Sequence, residues 1–205
     1  MYSIAIVLRT TKERAVSLQE QVRRLVTDGF DITVKVCIPI RKVRVPGIVF
    51  VLNPPKPIIS GSGKFITDKP RGWGLPGGKM HDNEMPADGA MREAAKETGL
   101  RVTVDDADIL DVIVAEDSAK VYYNGRKAKA ISSNGWLDPS GDREFDPYPV
   151  EEAIIVSDDD VVRLYETRDH ATPFISAKNG NRYPVYKTDL EIAYLRVKMF
   201  QLHGI

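Results

Sequence analysis

Residues 78–100, GKMHDNEMPADGAMREAAKETGL, decide how this chain is read. The second half reads as a helix. Pro86 suits a first turn, and Gly99 stands just past the end, where helices commonly stop. On that helix Glu93 and Glu97 are one turn apart, and so are Arg92 and Lys96. Like charges at this spacing destabilise a helix by about 0.2–0.5 kcal/mol per pair. A helix shaped for stability alone avoids them. Two carboxylates on one face form a natural seat for a cation, yet Lys96 stands beside them.

Working outward, PRGWGLPGGKMHDNE (70–84) carries too many glycines and prolines for regular structure and reads as a loop. Upstream, YSIAIVLR (2–9) reads as a strand. TKERAVSLQEQVRRLVTDG (11–29) has apolar residues near helical spacing, with Gly29 as its stop. FDITVKVCIPIRK (30–42) alternates like a strand, with Pro39 marking an edge or an end. GIVFVLN (47–53) reads as a short buried strand, and IISGSGKFI (58–66) as its partner with a glycine-rich bend. Downstream, LRVTV (100–104) and DILDVIVAE (108–116) are strand candidates. VYYNGRKAKAI (121–131) contains Asn124-Gly125, a strong hairpin signal. A long acidic loop, NGWLDPSGDREFDPYP (134–149), precedes the strand AIIVS (153–157) and two further helices. Strands and helices without strict alternation predict an α/β fold, with a mixed sheet packed by helices.

Composition narrows the function classes. The 205 residues carry 29 Lys plus Arg and 29 Asp plus Glu. That neutral balance disfavours a protein that tracks nucleic-acid phosphates. The most basic stretch, IRKVR (40–44), reads as a guarded sheet edge. The one cysteine, Cys37, excludes an internal disulfide and fits a reducing cytoplasm. No segment reads as a membrane span or a signal peptide.

Three motifs fail on context. Gly72, Gly74 and Gly77 have dinucleotide-loop spacing, but no apolar strand precedes them and no helix opens at the third. GSGK (61–64) lacks the first glycine and the hydroxyl residue of a phosphate loop. His81, His170 and His203 show no zinc-ligand spacing.

Residues 78–100 resemble the Nudix box, G-x5-E-x7-R-E-U-x-E-E-x-G-U, where U is bulky and apolar. Gly78, Glu84, Arg92, Glu93, Glu97, Gly99 and Leu100 match it, and the lead-in GWGLPGG looks similar as well. Lys96 departs from it, standing at the first position of the Glu-Glu pair, and Ala94 is smaller than usual. The resemblance implies a Nudix-type α/β/α sandwich with a mixed β-sheet between helices. Residues 1–45 are then an N-terminal strand-helix-strand extension packed on a domain at 46–205, unless 1–205 form one continuous domain.

The function implied is a metal-dependent hydrolase cleaving a diphosphate linkage in a nucleoside diphosphate derivative, using Mg²⁺ or Mn²⁺. The alternative is a weak or inactive Nudix-like module that binds a nucleotide or a protein partner. Glu93 and Glu97 would be metal ligands, with the Gly77 carbonyl as a further one. Arg92 and Glu84 would pair to hold the loop at Gly78 against the helix. A distal acid would come from Glu144, Glu151 or Glu152. Lys96, Trp73 and Tyr123 are candidates for substrate contact. A lysine held ~4 Å from a divalent ion would be repelled by at most about 8 kcal/mol at an effective dielectric of 20. Its flexible stem lowers that figure. The implied partner is a small nucleotide-type molecule. No membrane is involved, and a homodimer stays open.

Overall fold

The computed structural model describes residues 11–41, 43–59, 65–130, 149–171 and 174–203. The expected strand at 2–9, the glycine-rich bend at 60–64, and the loop bearing Trp136 and Glu144 lie outside them.

The first sheet has four strands, β7 (Gly77–Lys79), β1 (Asp31–Cys37), β10 (Ser118–Asn124) and β9 (Ile109–Val114), in that order. It is mixed: β1 runs parallel to β10, while β7 and β9 are antiparallel to their neighbours. Both faces of β10 are covered. Val121 and Tyr123 enter one hydrophobic cluster, and Tyr122 between them enters the other. This is the period-two alternation of a strand buried on both sides.

The second sheet centres on β3 (Gly47–Asn53), which is buried along its whole length. Its neighbours are β12 (Glu152–Ser157) and the short edge strand β2 (Pro39–Ile40), with β6 (Gly72–Gly74) also pairing to it. The proline at an edge costs no ladder bond.

Helix α1 (Thr11–Thr27) buries Val22 and Leu25 in the first cluster. Helix α2 (Pro86–Thr98) joins that cluster through Ala90 and Ala94, against Val34 of β1. The second cluster gathers Phe50, Trp73 and Leu75. Leu164 joins it from α3 (Asp158–Thr167), and Leu190, Ala193 and Val197 from α4 (Lys187–His203). Ser157 caps α3 by accepting the Asp160 N–H, and three aspartates fill its first turn, where they complement the helix dipole. Among the described residues no helix is long and apolar enough to cross a membrane.

Three local readings change. The segment before α2 is not loop throughout, since β6 and β7 are short strands paired to β3 and β1. Their partners lie far upstream, so local composition cannot reveal the pairing. The described residues 56–59 and 65–69 do not partner β3. Instead β4 (Lys56–Ile59) and β5 (Phe65–Lys69) pair with each other. Finally, Asn124-Gly125 closes no hairpin. β11 (Arg126–Ala130) leaves to pair with β8 (Leu100–Thr103), because both edges of β10 are already taken by β1 and β9. The Gly125 N–H donates to Cys37 O at 2.8 Å, extending the parallel ladder.

Candidate active site

The box folds as a strand, a loop and a helix wrapped on β1. Pro86 opens α2, and Gly99 ends it in the left-handed region with φ 67°, donating its N–H to Ala95 O. Small residues on the inner face bring the helix close to its neighbours. A Cβ on Gly89 would lie 2.8 Å from Glu84 Oε2.

Arg92 is buried and holds this corner together. Its Nε donates to Glu84 Oε1 at 2.8 Å. Its Nη2 donates to Glu84 Oε2 at 3.0 Å and to Lys79 O at 2.9 Å. Its Nη1 contacts Glu93 Oε1. Glu84 Oε2 also accepts the His81 N–H at 2.9 Å. Burial pushes the Glu84 carboxyl upward, but Arg92 and the His81 N–H hold it below the ordinary value. The pairing of Arg92 with Glu84 thus ties the loop to the helix.

Glu93 is only 2% exposed. Lys96 Nζ donates to its Oε1 at 3.0 Å and stands 2.8 Å from its Oε2. Oε2 is buried, and the Lys96 ammonium is its close charge partner. Gly78 makes room for this carboxylate, since a Cβ there would lie 2.6 Å from Glu93 Cδ. Glu97 Oε2 accepts the Gly77 N–H at 2.7 Å. Burial drives the Glu97 carboxyl up to about 7, against the opposing pull of Lys35 and of the Gly77 N–H. Gly77 has φ 153° and is packed so closely on β1 that a Cβ would meet the Val34 carbonyl oxygen.

The other candidates sit elsewhere. Trp73 and Tyr123 are fully buried, one in each hydrophobic cluster, which leaves neither ring a face to stack on a base. Glu151 Oε1 pairs with Arg71 Nη2 at 2.8 Å. Glu152 accepts the Ser176 hydroxyl at 2.6 Å and the Ala177 N–H at 2.9 Å. Partial burial raises the Glu152 carboxyl, and these donors bring it below its ordinary value. Glu144 lies outside the described residues. A cleft of about 760 Å³ opens on the other side of α2, with Glu84, Asp88, Arg92 and Arg101 in its wall but neither Glu93 nor Glu97.

Magnesium commonly takes one or two carboxylates and completes its shell with water and substrate phosphate oxygens. Glu93 and Glu97 fit that donor set in type, and at Glu93 Oε2 an ion would have to displace or share the carboxylate with the Lys96 ammonium 2.8 Å away. Among the described residues no third His, Cys, Asp or Glu joins them. Sequence reasoning passed over Lys35 and Asp189, which lie just behind this loop. The one available signal was a lysine in the middle of the apolar alternation ITVKVCI.

The fold and the box together define a class, and comparison with known proteins names it. A family model described as "NUDIX domain" matches residues 42–171, the greater part of the chain. The chain therefore belongs to the NUDIX domain family and is a Nudix-type diphosphate hydrolase. A search of curated proteins returns no match. Among solved structures it is similar to the MutT protein from Methanosarcina mazei Go1, with 15% identity over 83% of this chain and 94% of that one, TM-score 0.49. It is also similar to an ADP compounds hydrolase, with 13% identity over 85% and 75%, TM-score 0.49. An ADP-ribose pyrophosphatase from Streptococcus suis shows 15% identity over 81% and 90%, TM-score 0.42. The family assignment rests on the domain match alone.

Proposed function

We propose that this protein is a divalent-metal-dependent pyrophosphatase acting on a nucleoside diphosphate derivative, with Glu93 and Glu97 as the side chains that hold the ion. One observation carries the reading: the Glu93 and Glu97 carboxylates share the helix face that meets the Gly77–Gly78 backbone, Glu97 Oε2 accepting the Gly77 N–H at 2.7 Å and Glu93 filling the space beside Gly78. When bound, Mg²⁺ or Mn²⁺ supplies neutralisation of the phosphoryl oxygens and activation of a water.

The chain's own residues prepare that site. Arg92 immobilises Glu93 from one side and ties the preceding loop through Glu84. Lys96 lends Glu93 a positive charge from the other side, in place of the carboxylate more usual at that position. The site then carries less negative charge than a full Nudix box, which favours fewer ions. Glu97 must lose its proton before it ligates, and burial delays that loss to near neutral pH. The Gly77 carbonyl is proposed as a backbone ligand beside them. We further propose one continuous domain that includes β1, because β1 is paired on both sides within the first sheet.

The test is a panel of nucleoside diphosphate derivatives incubated with Mg²⁺ or Mn²⁺, followed for released phosphate or nucleotide. Turnover that needs the metal and vanishes in Glu97→Gln is the expected result. No turnover on any substrate, with tight nucleotide binding in chelator, would sink the reading in favour of a binding module.

A further inference from the structure

The lead-in loop before the box is held from behind by a segment that the family match does not reach. Trp73 donates its N–H to Pro184 O at 2.8 Å, and Tyr186 donates its N–H to Trp73 O at 2.8 Å. Trp73 and Val185 form a parallel bridge. The Tyr186 hydroxyl donates to Pro70 O at 2.9 Å.

In the first turn of α4, Asp189 continues the clamp. Its Oδ2 accepts the Leu75 N–H at 2.9 Å, and its Oδ1 accepts the Tyr122 hydroxyl at 3.0 Å. Lys35, from the middle of β1, donates its Nζ to Leu75 O at 2.7 Å and stands 3.8 Å from Asp189 Oδ2. Both backbone groups of Leu75 are therefore held by buried charged side chains, since Asp189 is 4% and Lys35 6% exposed. The next peptide is fixed by Val36 N–H donating to Pro76 O at 2.8 Å, and the Gly77 N–H goes to Glu97.

The glycines of the lead-in follow from this clamp. A Cβ on Gly74 would lie 2.5 Å from Asp189 Oδ2, and one on Gly72 would lie 2.8 Å from Tyr186 Cε1. In both places a side chain from the 186–189 segment occupies the space that a Cβ would need. Charged side chains are rarely buried unless paired. Here one hydrogen bond of each goes to the backbone of Leu75, two residues ahead of the peptide that meets Glu97.

We infer that Asp189 and Lys35 are positioning residues of the active site: together they set the height of the Leu75–Gly77 backbone opposite Glu97. Both lie outside residues 42–171, so the family match assigns them no role. The catalytic loop is thus completed by the C-terminal helix. The kinetic part of this inference rests on the proposed activity, while the structural part does not.

The experiment compares Asp189→Asn, Lys35→Met and the double variant. Asp189→Asn keeps the side chain's shape. The double variant removes both charges, so no lone buried charge remains if a single variant fails to fold. In metal-free protein, amide exchange at Leu75 and Gly77 is expected to quicken by about tenfold while β3 stays protected. In the folded variants kcat is expected to fall by about tenfold, with KM within about twofold, because misplacement costs the chemical step more than binding. Unchanged exchange at Leu75 and Gly77 overturns the inference. So does exchange that quickens equally across β3 and α4, which marks a merely structural pair, and so does an unmoved kcat. If the wild-type protein hydrolyses nothing, the functional reading falls, and the exchange measurement alone still decides the clamp.

Discussion

The ammonium of Lys96 stands 2.8 Å from Glu93 Oε2, on the face of α2 where the carboxylates meet the glycine loop. It adds to the positive charge that Arg92 already brings to Glu93. The ion pair is partly buried, with Lys96 20% and Glu93 2% exposed.

Exchanging that cation for an acid should therefore separate stability from metal binding. Lys96→Glu places three carboxylates on one face and is expected to destabilise the metal-free protein by about 1–2 kcal/mol, a partly exposed ion pair being worth less than a buried one. The same change should tighten Mg²⁺ and restore stability when the metal is added. Calorimetric titration and urea unfolding, each with and without Mg²⁺, read both effects. Weaker metal binding in Lys96→Glu would show that the lysine assists the site in another way.

Arg92 serves geometry that no lysine can copy. Its guanidinium makes a two-pronged contact with Glu84, reaches Lys79 O, and touches Glu93. Arg92→Ala leaves Glu84 and Glu93 without this partner and is expected to cost about 3–5 kcal/mol. Arg92→Lys restores the charge but not the fork, so it should recover only part of that loss. Denaturant midpoints of the two variants give the comparison.

The Glu97 carboxyl gives the metal-free protein a pH signature. Its value in the fold is about 7 against an ordinary 4.5, with burial the main cause. The folded state therefore holds this proton more tightly than the unfolded state. The contribution to stability is full below pH 4.5, falls as pH rises from there to about 7, and is flat above. Glu97→Gln should remove that decline, so the stability difference between the two proteins should vary with pH only in this window. Mg²⁺ competes with the same proton, so its affinity should rise with pH up to about 7. A flat affinity across that range would contradict the assignment of Glu97 as a ligand.

Gly77 has no tolerance for a side chain. Its φ of 153° and the Val34 carbonyl in the path of any Cβ mean that Gly77→Ala must move the loop away from β1. Backbone strain alone should cost about 1–3 kcal/mol, and loss of the Gly77 N–H bond to Glu97 adds to it. Thermal unfolding without metal tests this, because the effect does not depend on any ligand.

The site helix was legible because its signals are local. Proline, glycine and two glutamates at fixed spacing define start, stop and face within one short segment. The flanking strands β6 and β7 were not, since each pairs with a strand well upstream and has little pattern of its own. Asn124-Gly125 misled for a related reason. Its local preference for a tight turn lost to the ladders that β1 and β9 had already formed on β10. Trp73 and Tyr123 showed the opposite limit, as an aromatic side chain in a sequence does not say which way it faces.

By itself the sequence determined the family, the helix, and the two carboxylates that share its face, because a helical turn places residues four apart together in any fold. It also marked Lys96 as a departure from the box. Only the tertiary structure decided how deeply those carboxylates are buried and that the Gly77 amide meets Glu97. It also decided that Lys35 and Asp189, from opposite ends of the chain, hold the loop that faces them. The reason is physical. Which charges neutralise a buried acid depends on what the fold brings within a few ångströms, and separation along the chain carries no record of that.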